Sequence, residues 1–394
     1  MDIFILYKED FPWDVRVEKL AVSLKSFGHN VVIVARNLEG RSSDDEINGI
    51  TIKRLPVVSS KNSLLRKLTN LPLWFNPYWE STLKKATSQS SNYIIIVRDL
   101  PLVRTALRVA EPNHAKVIFD MAEVYPYMYA SARQFSNRIS LESLVKSPSI
   151  AERYENSVIR KLDHTLVMIE ESRDRLLAKG VDPRRVTIVS NTPPLDKYKG
   201  SAHQHNGHTL RLVYVGFLTK LRGLDLLVRA ASEYINNGNP PESIKIDIVG
   251  KGSERESLIA LVNELELGSS ITIHGWLDHD EVDRLMAQAN VGVLTYRVCP
   301  HWNHTIPNKI FDYMLSGIPV LTTEVVPIKR IISETNSGLV CSDQDVLDIA
   351  TNLEKLRSPE LRARLGSNGI AAIRAKYNWG VDERRLHSVI ESLK

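Results

Sequence analysis

Cysteine is scarce in this chain: Cys299 and Cys341 are the only two in 394 residues. A disulfide scaffold is therefore excluded, and the thiol count fits a reducing compartment. No stretch approaches the roughly 18 consecutive apolar residues that a membrane-spanning helix needs. Residues Met1 to Asp10 carry an apolar run that is too short and too acidic for a secretory leader. Glycine is missing where a dinucleotide-binding fold requires it. The first strand–helix turn reads Phe11-Pro12-Trp13-Asp14-Val15-Arg16, with no Gly-x-Gly-x-x-Gly. A strong charge of one sign is absent too. Lys and Arg number 51 against 46 Asp and Glu, a net +5 that suits an anionic substrate or surface without selecting one. No recognition motif accompanies that charge, so nucleic acid is not an expected partner.

What is present is ordinary globular material, 43% hydrophobic and 25% charged. The length favours two domains of roughly 150–200 residues each. Asp2–Tyr7 reads as a buried strand, and Asp14–Phe27 as a helix that Asp14 caps, with Val17, Leu20, Ala21 and Leu24 on one face. Asn30–Ala35 reads as the next strand. Strand, helix and strand with short joins predict a parallel, doubly wound sheet. The pattern restarts at Leu212-Val213-Tyr214-Val215-Gly216, after a polar stretch with His203, His205 and His208. The expected domains are therefore 1–194, a linker at 195–209, and 210–376, with a last helix at 377–394. Between residues 59 and 86, Lys61, Arg66, Lys67, Lys84 and Lys85 interleave with Trp74, Phe75, Tyr78 and Trp79. This suits either a surface resting on anionic lipid or a loop packed on the sheet edge by its tryptophans.

The most informative stretch runs from His304 to Leu321, and it reads as loop, short helix, glycine stop and buried strand. Pro307 suits a first helical position. Phe311, Met314 and Leu315 make one apolar stripe, while Lys309 and Asp312 share the polar face. The pair is either a solvated i, i+3 ion pair or a cation and a carboxylate beside an anion-favouring helix start. A second basic turn, Thr219-Lys220-Leu221-Arg222-Gly223, precedes a helix. Nearby, Asp278-His279-Asp280 is best explained as helix capping, and Cys299-x-His301-x-x-His304 is a poor zinc site for want of a fourth ligand.

Pro307, Lys309, Asp312, Gly317, Pro319 and Val320 resemble the P-x-K-x-x-E-x-x-x-x-G-x-P-V segment of nucleotide-sugar glycosyltransferases of GT-B fold, family 4. The resemblance extends over nearly the whole chain and is more specific in its second half. It implies an α/β fold of two doubly wound, Rossmann-like domains facing a cleft. The first would bind the acceptor and the second the nucleotide sugar, and the last helix would return to the first. By the same resemblance Asp312 holds the donor ribose, Arg222 and Lys309 neutralise the departing diphosphate, and Trp276 is a base platform. Gly216, Lys220, His304, Thr305 and Asn308 complete the donor site, while Asp14, Arg16, Arg98 and Asp120 fall on the acceptor side with Glu123 near the chemistry. Five family positions differ: Asp312 is a shorter carboxylate where Glu is usual, His304 stands where the first acid of a Glu-x7-Glu pair is usual, Ala122 where a His is usual, Phe217 where an Arg is usual and Arg222 where a Lys is usual.

The function implied is a retaining, metal-independent, hexosyltransferase-type enzyme that needs no cofactor beyond its nucleotide-sugar donor. It would act on a glycan or lipid-linked acceptor in bacterial surface polysaccharide or glycolipid biosynthesis. The implied location is the cytoplasm, with peripheral contact to the anionic inner face of the membrane. His304 and Ala122 keep open a catalytically inactive, transferase-like scaffold subunit, and the two-domain shape leaves a sugar-nucleotide epimerase as a third reading.

Overall fold

A computed structural model describes residues 1–12, 14–56, 76–134, 146–197 and 209–394. Packing divides the chain into two compact units. One comprises Met1–Arg133, Asn137–Asn191 and Asp382–Lys394, and the other Thr192–Val381 with Gln134–Ser136.

The first unit carries β1 (Asp2–Asp10), α1 (Val15–Ser26), β2 (Asn30–Arg36), β3 (Asp44–Ile47), β4 (Ile50–Arg54), α2 (Pro77–Thr87), β5 (Tyr93–Val97) and α3 (Val103–Ala110). It continues with β6 (Lys116–Met121), α4 (Tyr125–Gln134), α5 (Pro148–Val158), β7 (His164–Val167), α6 (Glu170–Ala178) and β8 (Val186–Ile188). Its eight strands run in the order β3-β4-β2-β1-β5-β6-β7-β8. All pairings are parallel except β3 with β4, an antiparallel hairpin on the edge that the sequence reading did not anticipate. Ile3, Phe4, Ile5 and Leu6 of β1 are buried, as expected of a central strand covered on both faces.

The second unit follows the same logic with β9 (Leu210–Val215), α7 (Leu224–Asn236), β10 (Ile244–Val249), α8 (Arg255–Glu264), β11 (Ile271–Gly275), α9 (His279–Gln288) and β12 (Val291–Leu294). Then come α10 (Lys309–Leu315), β13 (Val320–Thr323), α11 (Val326–Thr335), β14 (Gly338–Cys341), α12 (Val346–Lys355) and α13 (Pro359–Ala375). The last helix, α14 (Trp379–Ser392), begins in the second unit and ends in the first. The second sheet, β11-β10-β9-β12-β13-β14, is parallel throughout.

Each sheet therefore has one strand from which the winding departs in both directions: β1, between β2 and β5, and β9, between β10 and β12. Ligands of open α/β sheets bind at the carboxyl ends of such strands. Among the described residues, no helix is long and apolar enough to cross a membrane. Of the stretch 59–86, read as either lipid-facing or tryptophan-packed, residues 59–75 lie outside the described residues, and so does most of the predicted linker, over 198–208. Lys84 and Lys85 are described, in the last turn of α2.

Candidate functional site

In the first unit the charged residues gather at the ends of β1, β5 and β6. Asp14 caps α1, its Oδ1 accepting from the N–H groups of Arg16 at 2.9 Å and Val17 at 3.0 Å. Arg16 lies inside the first turn of that helix and is 1% exposed. Its Nε and Nη2 donate to the Asp120 carboxylate at 2.5–3.0 Å, and its Nη1 donates to the Ser190 carbonyl at 3.0 Å. Asp120 is 0% exposed. Arg16 and Asp120 therefore present no surface to an acceptor, in contrast to the expectation from sequence. Asp120 also approaches Arg98, whose Nε lies 3.5 Å from it and whose Nη2 lies 3.6 Å from Asp14. Burial opposes the charge on Arg98, but Asp120, Asp14, Asp99 and Glu123 outweigh it and raise its pKa. Glu123 is half-buried, two residues beyond β6.

Sequence reasoning missed the neighbouring cluster. The Lys8 ammonium donates to the Tyr125 hydroxyl at 2.6 Å, and that hydroxyl donates to Asp99 Oδ1 at 2.8 Å. The Lys8 backbone N–H donates to Asp99 Oδ2 at 3.0 Å. Burial and the Asp99 charge raise the Tyr125 phenol well above its ordinary pKa, so it stays a hydroxyl. At this edge Lys8, Arg16 and Arg98 face Asp14, Asp99, Asp120 and Glu123, and the cations are matched by carboxylates.

In the second unit, backbone meets backbone at the ends of β9, β10 and β11. Leu218 N–H donates to the Lys251 carbonyl at 2.9 Å, and Gly250 N–H donates to the Gly275 carbonyl at 2.7 Å. A Cβ on Gly250 would lie 1.7 Å from the Gly216 oxygen, and one on Gly252 would lie 2.0 Å from the Leu218 oxygen. Only glycine allows the two turns this close, so Gly216 serves by its backbone. Trp276, just past β11, is 72% exposed, and the Lys251 ammonium sits 4.8 Å from its ring centroid. Lys220 is also exposed.

Arg222 is the centre of this edge. Its guanidinium carbon lies 4.5 Å from the Tyr296 ring centroid and 4.3 Å from that of Trp302, and its Nη1 donates to the Tyr296 hydroxyl. Tyr296, two residues beyond β12, is 1% exposed, and burial raises its pKa against the opposing pull of Arg222. Lys309 pulls on the same phenol in the same direction. The His301 ring packs tilted against Trp302, with centroids 4.5 Å apart, and burial with the Arg222 charge lowers its pKa to about 4, so it is neutral at pH 7. These aromatic partners of Arg222 also escaped the sequence reading. Trp302 offered only the unspecific signal of an aromatic in a polar loop.

Lys309 donates to Asp312 Oδ2 at 2.9 Å, and Lys197 reaches Oδ1 at 3.5 Å from 115 residues away. Burial would raise the Asp312 pKa, but the two lysines more than offset it, so the group is held ionised below its ordinary value. Asn308 is exposed and Thr305 buried. His304 Nδ1 lies 2.9 Å from the Pro300 carbonyl. Pro307 stands before the helix and not at its first position, because α10 starts at Lys309. The Asp278 side chain forms a capping box with Glu281, as expected for a helix start. Among the described residues, no group of three or more His, Cys, Asp or Glu side chains is placed to hold a metal ion.

The chain matches two family descriptions in succession. Residues 14–192 match "Glycosyl transferase 4-like domain" and residues 209–358 match "Glycosyl transferases group 1". Among curated proteins it is similar to alpha-D-kanosaminyltransferase of Streptomyces kanamyceticus, with 23% identity over 58% of this chain and 60% of that protein. It is also similar to the amylovoran biosynthesis glycosyltransferase AmsK of Erwinia amylovora, with 21% identity over 56% of this chain and 54% of that protein. The chain thus spans between half and two thirds of the length of these relatives. Among solved structures, the sucrose-phosphate synthase of Thermosynechococcus elongatus shares the fold at a TM-score of 0.78, with 16% identity over 100% of this chain and 98% of that one. Anabaena HepE in complex with UDP does so at 0.72, with 13% identity and full coverage of both chains.

Proposed function

The chain belongs to the GT-B glycosyltransferases of the family 4-like type, and from that premise we propose that it transfers a hexose, with retention, from a nucleoside-diphosphate sugar to a glycan or lipid-linked acceptor. The observations that carry the proposal are the Arg222 guanidinium held against the buried Tyr296 and Trp302 rings, and Lys309 paired at 2.9 Å with the ionised Asp312. A nucleoside-diphosphate sugar carries about two negative charges and its leaving group gains one more as the bond breaks, and fixed cations aimed at developing charge are commonly the largest catalytic term. Arg222 and Lys309 supply them as side chains, so the reaction is proposed to run without a metal or cofactor. Asp312 takes the ribose hydroxyls, and Trp276, Gly216, Lys220, His304, Thr305 and Asn308 line the rest of the donor site.

The bond from the sugar's anomeric carbon to the phosphate oxygen breaks as the acceptor oxygen bonds to the same face, and the acceptor proton passes to the departing phosphate. On the first unit, Asp14, Arg98 and Glu123 are proposed for the acceptor side. Because carboxylates match the cations there, that edge suits sugar hydroxyls better than phosphate. Bacterial polysaccharide or glycolipid assembly, on the cytoplasmic face of the membrane, is the proposed setting. A relative named for amylovoran biosynthesis supports it.

His304, engaged with the Pro300 carbonyl, and Ala122, which is 5% exposed, favour a second reading as an inactive scaffold subunit. A thermal-shift panel of UDP, GDP, dTDP and CDP, with UMP and ATP as controls, separates the two. Ligand at 100 times its Kd stabilises by about 2.7 kcal/mol. The transferase reading expects one diphosphate to raise the melting temperature of the wild type and the rise to vanish in Arg222→Ala and Asp312→Ala. A panel without any shift leaves the scaffold reading standing.

A further inference from the structure

We propose that Tyr296 and Trp302 are positioning residues for Arg222. They hold its guanidinium flat so that its edge meets a diphosphate, and the Trp302 indole N–H is a second donor to that anion. The inference rests on the donor-site reading above.

The two rings lie 4.6 Å apart, tilted by 45°, and Tyr296 and Trp302 are 1% and 7% exposed, so both are fixed parts of the core. Arg222 is half-buried and rests within 4.5 Å of both ring centres. A guanidinium stacked by its face directs its N–H donors outward in its own plane, the fork that matches phosphate oxygens. The bond from Arg222 to the Tyr296 hydroxyl uses one of those donors and fixes the rotation of the group. Without that bond and the two rings, a long and flexible side chain would have to be ordered by the ligand itself, which costs affinity.

Trp302 adds a separate observation. Its Nε1 is buried and finds no acceptor among the described residues. Buried donors are normally paired. The ring that carries this one is the ring on which Arg222 lies, so an anion arriving at the guanidinium supplies the acceptor. Both effects act on the diphosphate and leave recognition of the base and ribose untouched, which predicts how the two parts of the ligand respond to substitution.

The test is titration calorimetry of the full chain with UDP, GDP, dTDP and CDP and the four matching monophosphates. For one base, the wild type is expected to bind the diphosphate about tenfold or more tightly than the monophosphate. Tyr296→Phe and Trp302→Phe each remove one polar atom or N–H group and keep an aromatic ring. Each is expected to lower the diphosphate-to-monophosphate ratio by about fivefold or more, with monophosphate affinity within about twofold of wild type. A ratio within about twofold of wild type in either variant overturns the proposal for that residue. Equal loss of both affinities overturns it as well, since general damage to packing would do that. A wild type that binds no nucleotide sinks the donor-site reading itself. One that binds diphosphate and monophosphate alike keeps that reading and sinks only the positioning proposal.

Discussion

A carboxylate without exposed surface must be paired or give up its charge, and Asp120 is paired, with Arg16 beneath it and Arg98 beside it. Removing one partner strands the other. Asp120→Ala is expected to destabilise the first unit by about 3–5 kcal/mol, whereas Arg16→Met combined with Asp120→Leu costs far less. Urea unfolding of the single and double variants checks this, and equal losses in both would refute it. The pair also shows where residue-level reading stops. Asp14 was legible as a cap from its place before an apolar helix, but Arg16 and Asp120 lie 104 residues apart, so their mutual burial was not. His164 gives a second expectation. It is 5% exposed, its Nε2 lies 2.9 Å from Thr187 Oγ1, and burial lowers its pKa from 6.5 to about 4. Between those values the unfolded state binds more protons, so stability is fully present above pH 6.5 and is lost as pH falls toward 4. The loss is about 3 kcal/mol for a shift of this size. His301, also lowered to about 4, adds to the same window in the second unit. His164→Gln should flatten the fall in stability between pH 7 and 5, and an unchanged slope would show that this histidine is not its source.

Elements with strong local signals were readable: the central strands as apolar runs, α1 from its cap and its i, i+3, i+4 stripe, and α9 from Asp278. The helix α11 was not. It opens with Val325-Val326-Pro327, which looks extended, and its Ile328, Ile331 and Ile332 face becomes decisive only once they are buried. The hairpin of β3 and β4 hid in a charged stretch, Asp44-Asp45-Glu46, because an edge strand need not be apolar on both faces. The proposed donor edge depends on an element-level feature, the backbone contact of the turns after β9 and β10. Gly250 has φ +146° and no room for a Cβ beside the Gly216 oxygen. Gly250→Ala is therefore expected to cost about 2–4 kcal/mol and to abolish the diphosphate thermal shift. Gly268→Ala, with no atom within 4 Å of its Cβ, should stay within about 0.5 kcal/mol of wild type. Differential scanning fluorimetry with and without nucleotide measures both. A tolerated Gly250→Ala would mean that this close approach is dispensable.

Across the whole molecule, two doubly wound sheets followed from strand–helix alternation alone. The grouping of distant segments into one unit did not, because it depends on which apolar faces find each other; only the family resemblance implied that the last helix returns to the first domain. The end of the chain makes the point. Residues from Asp382 onward pack with the first unit, although Thr192–Val381 before them make up the second. Leu386, Val389 and Ile390 are buried, Arg385 Nη1 lies 3.4 Å from the Ile188 carbonyl, and the His387 ring lies 4.3 Å from that of Phe27. Burying an aliphatic side chain stabilises by about 1.5–3 kcal/mol, so these three contribute on the order of 5 kcal/mol to the unit they join. The second unit has its own sheet and helices. A chain ending at Val381 is therefore expected to lose stability in residues 1–191 while residues 192–381 keep theirs. Limited proteolysis read by mass spectrometry tests this directly. The first cuts in the shortened chain should fall within 1–191, under conditions that leave the full chain whole. Cuts spread evenly over both units would show instead that the last helix stabilises the molecule as a single cooperative block.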